Sequence, residues 1–410
     1  MSAEKKVPEI RFKGFSGEWD EKTLGELVQL ENGFAFQSKY FKKSPTEVIV
    51  LTPGNVNIGG GFHAGKGQYY DTKQEVPPRY VFKPNDMFIT MTDLTPTAQA
   101  LGFPAIIPKD DNIYLHNQRL GKLVGFKGDL SFLYNLLRTT KKQKEIVATS
   151  SGTTVKHTSP DKFLNRACFF PKNEEQAAIG NIFQKLDSLI NQHQQKHDKL
   201  SSIKKAMLEK MFPKQGDNTP EIRFKGFSGE WEEKELGTDV AEVIGGGTPS
   251  TSIPEFWGGN IDWYSPTEIG SNAYADGSQK KITALGLKSS SAKVLPAGNT
   301  VLFTSRAGIG YMAILTKPGA TNQGFQSFVV KEGFSPYFLY SAGKIIKEYA
   351  LKHASGSTFL EISGKQLGRM KILMPSTEEQ TAIGNYFQKL DNLINQHQNQ
   401  ITKLNNIKQA

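Results

Sequence analysis

Side chains able to carry a reaction are sparse in this sequence. The first to weigh are two triplets, Asp20-Glu21-Lys22 and Glu232-Glu233-Lys234, whose carboxylates would suit the Mg²⁺ site of a nuclease. Each follows a tryptophan, Trp19 or Trp231, in a charged stretch that reads better as a solvated turn. Methyl transfer to adenine would need a glycine loop for its cofactor and an Asn or Asp before Pro-Pro-aromatic to hold a flipped base. The nearest string, Val76-Pro77-Pro78-Arg79-Tyr80, lacks the amide and displaces the aromatic residue. No Gly-x-x-x-x-Gly-Lys-Ser/Thr loop is present for ATP. The single cysteine, Cys168, cannot form an intramolecular disulfide, and no Cys/His cluster has the spacing of zinc ligands. The residues thus point to no catalytic group, no metal and no cofactor.

What the chain does offer is hydrogen-bonding chemistry in polar, glycine-containing loops. Asn117, Gln118 and Arg119 fall in LHNQRLG, Thr304 and Arg306 in FTSRAGIGYM, and Asn322 and Gln323 in TNQGFQ. Asn and Gln can bond an adenine edge in pairs, and Arg a guanine edge. Two further segments are SGTT at 151–154, with Thr153, Thr154 and then Lys156, and SGST at 355–358, with Ser357 and Thr358. Their glycines, Gly152 and Gly356, suit the left-handed position that ends a helix. All these polar residues are candidate DNA contacts. A net charge of +10, from 50 Lys plus Arg against 40 Asp plus Glu, favours a polyanionic partner. Loops of this composition are also ordinary turns, so the elements that hold them must decide.

Those elements form a repeat. PEIRFKGFSGEW at 8–19 recurs letter for letter at 220–231, and the 33 residues from Glu174 match those from Glu378 at 23 positions. Between the matched ends the copies differ almost everywhere. Domains kept alike at their edges and different in the middle share a scaffold and meet different targets. Residues 20–170 and 232–374 read as mixed α/β, with β-like runs VIVLT, MFITMT, VLFTS and SFVV. Each insert closes with an amphipathic helix, at 131–148 and 335–354.

Residues 171–212 and 375–410 read as long helices. Ile179, Phe183, Leu186, Ile190, His193 and Leu200 in the first, and Ile383, Phe387, Leu390, Ile394, His397 and Leu404 in the second, form the seam of a helix packed along another. His193 and His397 suit polar positions that set register. Pro171 and Pro375 precede the helices, a Glu-Glu pair suits each positive dipole end, and Pro213 stops the first. Residues 1–19 are an opening segment, and 213–231 a linker with its repeat. The expected fold is α+β: two α/β domains separated by two long coiled-coil-like helices, a tandem repeat with pseudo-two-fold symmetry. Antiparallel rods of about 50 Å would hold the variable domains at opposite ends, as a ruler; parallel rods also fit the pattern. No stretch approaches the ~18 apolar residues of a membrane span, and a cytosolic protein is expected.

The repeated PEIRFKGF-x-GEW opening, the two unlike inserts, the P-x-x-EEQ-x-AIG-x-x-FQKLD helices and the SG-[ST]-T closing elements are similar to the specificity (S) subunit of type I restriction–modification systems. The resemblance spans essentially the whole chain. It implies that each insert is a target-recognition domain reading one half of an asymmetric, split double-stranded DNA site. It implies that the paired helices set the gap and dock two methyltransferase subunits, through which motor-nuclease subunits bind. Adenine methylation and ATP-driven cleavage, the host-defence chemistry, then belong to those partners. One departure is that the second helix stops at Ala410, whereas its twin continues MLEKMF after Ala206. On residues alone, a methyltransferase in its own right and a scaffold that joins proteins without reading DNA are the alternatives.

Overall fold

The structure, a computed structural model, describes residues 6–71, 73–95, 97–270, 272–306, 308–356 and 360–409. It divides into two compact units, Met1–Leu189 and Ile190–Ala410, with the boundary inside the first long helix.

In the first unit an antiparallel sheet runs in the order Gln29–Asn32, Leu120–Val124, Met87–Thr90, Pro104–Ile106. A second sheet sets Val48–Val50 between an antiparallel neighbour, Gln68–Tyr69, and a parallel one, Ile113–Leu115. The second unit repeats this plan. Ala241–Gly245, Gln326–Val330, Thr300–Phe303 and Met312–Leu315 form the first sheet, extended by Tyr274–Ala275, and Trp257–Tyr264 lies between Lys280–Ile282 and Gly319–Thr321 in the second. Met87–Thr90 and Thr300–Phe303 are buried along their whole length, as expected of apolar runs covered on both faces. Two inserts with almost no shared sequence therefore build one scaffold.

Each insert enters and leaves on one ribbon: Asp20–Thr23 pairs antiparallel with Ala167–Phe170, and Glu232–Glu235 with Lys371–Met374. The acidic triplets are therefore strand residues, where a solvated turn was expected. The strand form wins because buried Cys168, Phe170, Ile372 and Met374 anchor the partner strands. The charged side chains face outward and pair locally, Glu232 with Lys234 at 2.7 Å and Asp20 with Lys22 at 3.7 Å.

The closing helices also differ from expectation, for each is broken in two. Leu130–Leu137 ends at Arg138, and the Thr139 hydroxyl caps a new helix, Thr140–Ala148, by accepting from the Lys142 amide. In the second unit Ala342 separates Pro336–Ser341 from Gly343–His353. Gly152 and Gly356 do have positive φ, 97° and 133°, but they lie beyond the helix ends, in the turns closed by Ser151 against His157 and Ser355 against Glu361.

The long helices span Asn173–Lys210 and Thr377–Gln409. At the start of each, the shared residues tie a knot. The Arg11 guanidinium donates to both Glu175 carboxylate oxygens, at 2.8 and 2.7 Å, and Arg223 does the same to Glu379, at 2.6 Å for both. The neighbouring glutamines, Gln176 and Gln380, donate to the Pro171 and Pro375 carbonyls at 2.9 Å. Their side-chain oxygens accept the Asp129 and Ser335 amides at 3.1 Å, which fixes the start of the insert's closing helix. A Cβ on Gly180 would lie 2.4 Å from Asp129 Oδ1, so only glycine admits this approach.

Within the second unit the helices run antiparallel: His193 faces His397, Lys204 pairs with Asp391, and the Phe212 ring stacks on Phe387. Numbers rise on one helix as they fall on the other. Asp391 also accepts the Tyr337 hydroxyl at 2.7 Å, joining both long helices to the insert's closing helix. Ile383, Phe387 and Leu390 are buried here among Met211, Phe212 and Phe338. Ile394, Leu200 and Leu404 are half-buried, as are Ile179, Phe183, Leu186 and Ile190 of the first copy. Placing a carboxylate at Leu390 should therefore cost about 3–5 kcal/mol. Leu390→Asp is expected to lower the midpoint of urea unfolding markedly; an unchanged midpoint would show that this seam is not buried.

Candidate nucleic-acid interface

The polar segments singled out by composition converge on one edge in each unit. In the first, the Met91 amide donates to the Arg119 carbonyl and the Thr158 amide to the Met91 carbonyl, both at 3.0 Å. In the second, Ser305 donates to Gly324 at 2.8 Å and Ile362 to Ser305 at 3.1 Å. The Asn-Gln loop, the segment after the central strand and the closing segment are thus stitched side by side by the same ladder in both units.

The Asn-Gln loops are Asx turns. Asn117 Oδ1 accepts the Arg119 amide at 2.9 Å, and Asn322 Oδ1 accepts the Gly324 amide at 2.8 Å. The carboxamide oxygens are engaged in shaping the turn, which leaves the outward positions to Gln118, Arg119 and Gln323, all exposed. Backbone from the preceding strand crosses beneath. A Cβ on Gly33 would sit 2.2 Å from the Asn117 carbonyl oxygen, and one on Gly246 2.0 Å from that of Asn322, so both crossings require glycine.

Beneath the first loop lies His116, fully buried, whose Nε2–H donates to the Leu120 carbonyl at 2.9 Å. Burial pulls its pKa down to about 4, against the raising effect of that bond, so the ring is neutral at physiological pH and fixes the loop's base.

The other candidates have distinct placements. Thr153 and Thr154 are exposed in the turn before Lys156, whose backbone pairs with Asp93. Asp93 is itself buried and accepts three bonds, from the Thr95 amide and hydroxyl and the Ala100 amide. Arg306 is half-buried, bridged to Glu361 through the backbone and 3.9 Å from its carboxylate. Thr304 is fully buried, and its hydroxyl donates to Gly308 and accepts from the Tyr311 amide; it closes a turn instead of facing a ligand. Ser357 and Thr358 lie outside the described residues. Among the described residues, no group of three or more His, Cys, Asp or Glu is placed to hold a metal ion, and no helix is long and apolar enough to cross a membrane.

Composition alone missed several residues at this edge. Thr248 donates to the Gln323 side-chain oxygen. Exposed Phe34 packs on Tyr80, and the Arg79 guanidinium lies 4.6 Å over the Tyr80 ring. Arg79 and Tyr80 belong to the Val-Pro-Pro-Arg-Tyr string, whose sequence suggested only a defective methyltransferase motif.

The family model for the type I restriction modification DNA specificity domain matches this chain twice, at residues 16–202 and 228–406. The chain belongs to this specificity family. Among curated relatives, the MjaIX specificity subunit of Methanocaldococcus jannaschii is 40% identical over 40% of this chain and 39% of its own length. The EcoR124I/EcoR124II specificity subunit of Escherichia coli is 31% identical over 42% of this chain and 44% of its own. The chain thus aligns with about two-fifths of the length of these specificity subunits. Among solved structures, an S subunit from M. genitalium covers 98% of this chain and 96% of its own at 15% identity, with a TM-score of 0.63, which shows the shared specificity-subunit fold.

The helix seam adds a pH dependence. His193 Nδ1 and His397 Nδ1 lie 2.9 Å apart, so one ring must donate and the other accept, and two protonated rings cannot form this bond. Burial, then the charges of His193, Lys196 and His197, hold His397 below the ordinary histidine range. A base whose folded pKa is depressed stabilises fully above its unfolded value, ~6.5, and loses this as pH falls through the folded pKa. The melting temperature should therefore be level above neutrality and fall as pH drops below about 6.5, with a smaller fall in His397→Asn. Equal pH profiles for the two proteins would remove the histidine pair from this role.

Proposed function

We propose that this chain is the sequence-reading subunit of a type I restriction–modification complex in the cytosol, each variable unit reading one half of a split, asymmetric site on double-stranded DNA. The observation that carries this reading is the matched edge of the two units: one ladder and one Asx turn, with Gln118 and Arg119 displayed in one unit and Thr248 and Gln323 in the other. A common scaffold with unlike hydrogen-bonding groups is what two different base sequences require. Arg79, Arg119 and Lys156 on the first unit, and Arg306 on the second, supply positive charge for phosphates or guanines.

The long helices then fix the number of unread base pairs and dock two methyltransferase subunits, which in turn bring motor-nuclease subunits. Methylation and cleavage are the work of those partners, and this chain contributes no catalytic group and no cofactor.

Exchanging residues 20–170 for the corresponding insert of another family member should change one half of the methylated motif and leave the other intact, as read by whole-genome methylation sequencing. A change in both halves would overturn independent reading, and DNA affinity insensitive to salt would overturn DNA reading itself. Helix length gives a second test. Four residues inserted after Gln192 add about one turn, ~6 Å, nearly in phase with the seam. At ~3.4 Å per base pair the unread gap should lengthen by one or two base pairs with both half-sites unchanged. Full activity with an unchanged gap would show that the helices do not measure the distance.

A further inference from the structure

We infer that Phe34 is a specificity-determining residue of the first unit, contacting the 5-methyl group of a thymine in the half-site read there; this rests on the DNA-reading function proposed above. Large apolar side chains at a polar reading edge need an explanation, and Phe34 is 40% exposed. Its backbone lies against the Asx turn: the Phe34 amide donates to His116 at 2.8 Å, and the Phe34 carbonyl accepts the Gln118 amide at 3.1 Å. The Phe34 backbone therefore runs beside that of Gln118, in the turn whose exposed Gln118 and Arg119 side chains suit adenine and guanine edges.

The ring is also held. It meets Phe36 edge-on at 5.2 Å and lies tilted on Tyr80 at 5.1 Å, and the Arg79 guanidinium lies 4.6 Å over the Tyr80 ring. The Tyr80 carbonyl accepts the His116 amide at 2.8 Å, so this aromatic platform shares its anchor with the reading turn. A ring fixed on two sides does not swing between stacked bases as a wedge; it offers a rigid, partly exposed apolar surface next to the reading turn. In the major groove the apolar group on a base edge is the thymine methyl, and a phenylalanine side chain is among its recognised contacts.

The second unit supplies the contrast. Gly247 occupies the corresponding position, its amide donating to Thr321 at 2.8 Å as that of Phe34 donates to His116, and it has no side chain to offer. A Cβ on Gly247 would lie 2.5 Å from the Ala292 amide nitrogen, so the second unit has room for no side chain here and carries no apolar group at this point of its edge.

The test uses the complete complex and the half-site that changes when residues 20–170 are exchanged. Each thymine of that half-site is replaced in turn by deoxyuridine, which lacks only the methyl, and duplex affinity is measured. One replacement should weaken wild-type binding roughly fourfold, the worth of one buried methyl. The same replacement should have no effect in Phe34→Ala and a partial effect in Phe34→Leu; both variants lose ring contacts with Phe36 and Tyr80 and should melt somewhat lower, so affinities are compared well below each melting temperature. A half-site without thymine, no effect of any replacement on the wild type, or an undiminished effect in Phe34→Ala would each overturn the assignment while leaving DNA reading in place. Affinity that depends neither on sequence nor on salt would overturn both.

Discussion

The interaction on which the rest of the molecule depends is the paired ion bridge at the root of each long helix, Arg11 with Glu175 and Arg223 with Glu379. Both carboxylates are almost fully buried, and an isolated charge there would be intolerable without its partner. The planar guanidinium meets both oxygens at once, a geometry that lysine cannot reproduce. Arginine also donates to a carbonyl of its own segment, Gly17 or Gly229, so the opening segment is curled against the bridge. One residue further, Gln176 or Gln380 ties the helix to the insert's closing helix. Three pieces of chain thus meet at one buried point, and the insert hangs from it by a two-stranded ribbon.

This anchoring explains what could be read from the letters alone. The frames were legible because the same chemistry occurs twice: Arg, Glu-Glu-Gln and Ala-Ile-Gly cannot be exchanged without breaking the knot, so both copies keep them. The long helices and the seam residues followed from simple periodicity, since Leu390 and Phe387 must be apolar to fill the space beside Phe212 and Phe338. Within the inserts, legibility fell. A single helix was expected at 131–148 because its apolar positions continue across Arg138-Thr139, and only the cap at Thr139 reveals the break. The acidic triplets looked like turns because neither strand of that ribbon is apolar on both faces.

At the reading edge the difficulty was of another kind. Polar residue types identify a surface but not which of their atoms are already committed, and Asn117, Asn322 and Thr304 use theirs to shape the backbone. Conversely, Phe34 carries no polar signal, and it reaches the edge only because Gly33 lets its segment cross under the turn, while Tyr80 is brought there by its carbonyl accepting the His116 amide. Backbone geometry decides which side chains are spectators, and that geometry depends on residues far apart in the chain.

The near-identity of the two knots creates a folding hazard. Each native bridge joins residues far apart in sequence, 164 positions for Arg11 with Glu175 and 156 for Arg223 with Glu379. A mistaken bridge between Glu175 and Arg223 would close a loop of only 48 residues, from 175 to 223. Loop-closure entropy favours that error over the correct partner of Arg223 by about 1 kcal/mol. Two things oppose it. Helix formation over Asn173–Lys210 takes up most of that short loop and stiffens it, so it no longer closes as a flexible chain. Synthesis from the N-terminus also lets Arg11 take Glu175 before Arg223 has left the ribosome. Refolding of the whole chain from denaturant lacks that order, so vectorial synthesis is part of how a duplicated sequence arrives at a single pairing.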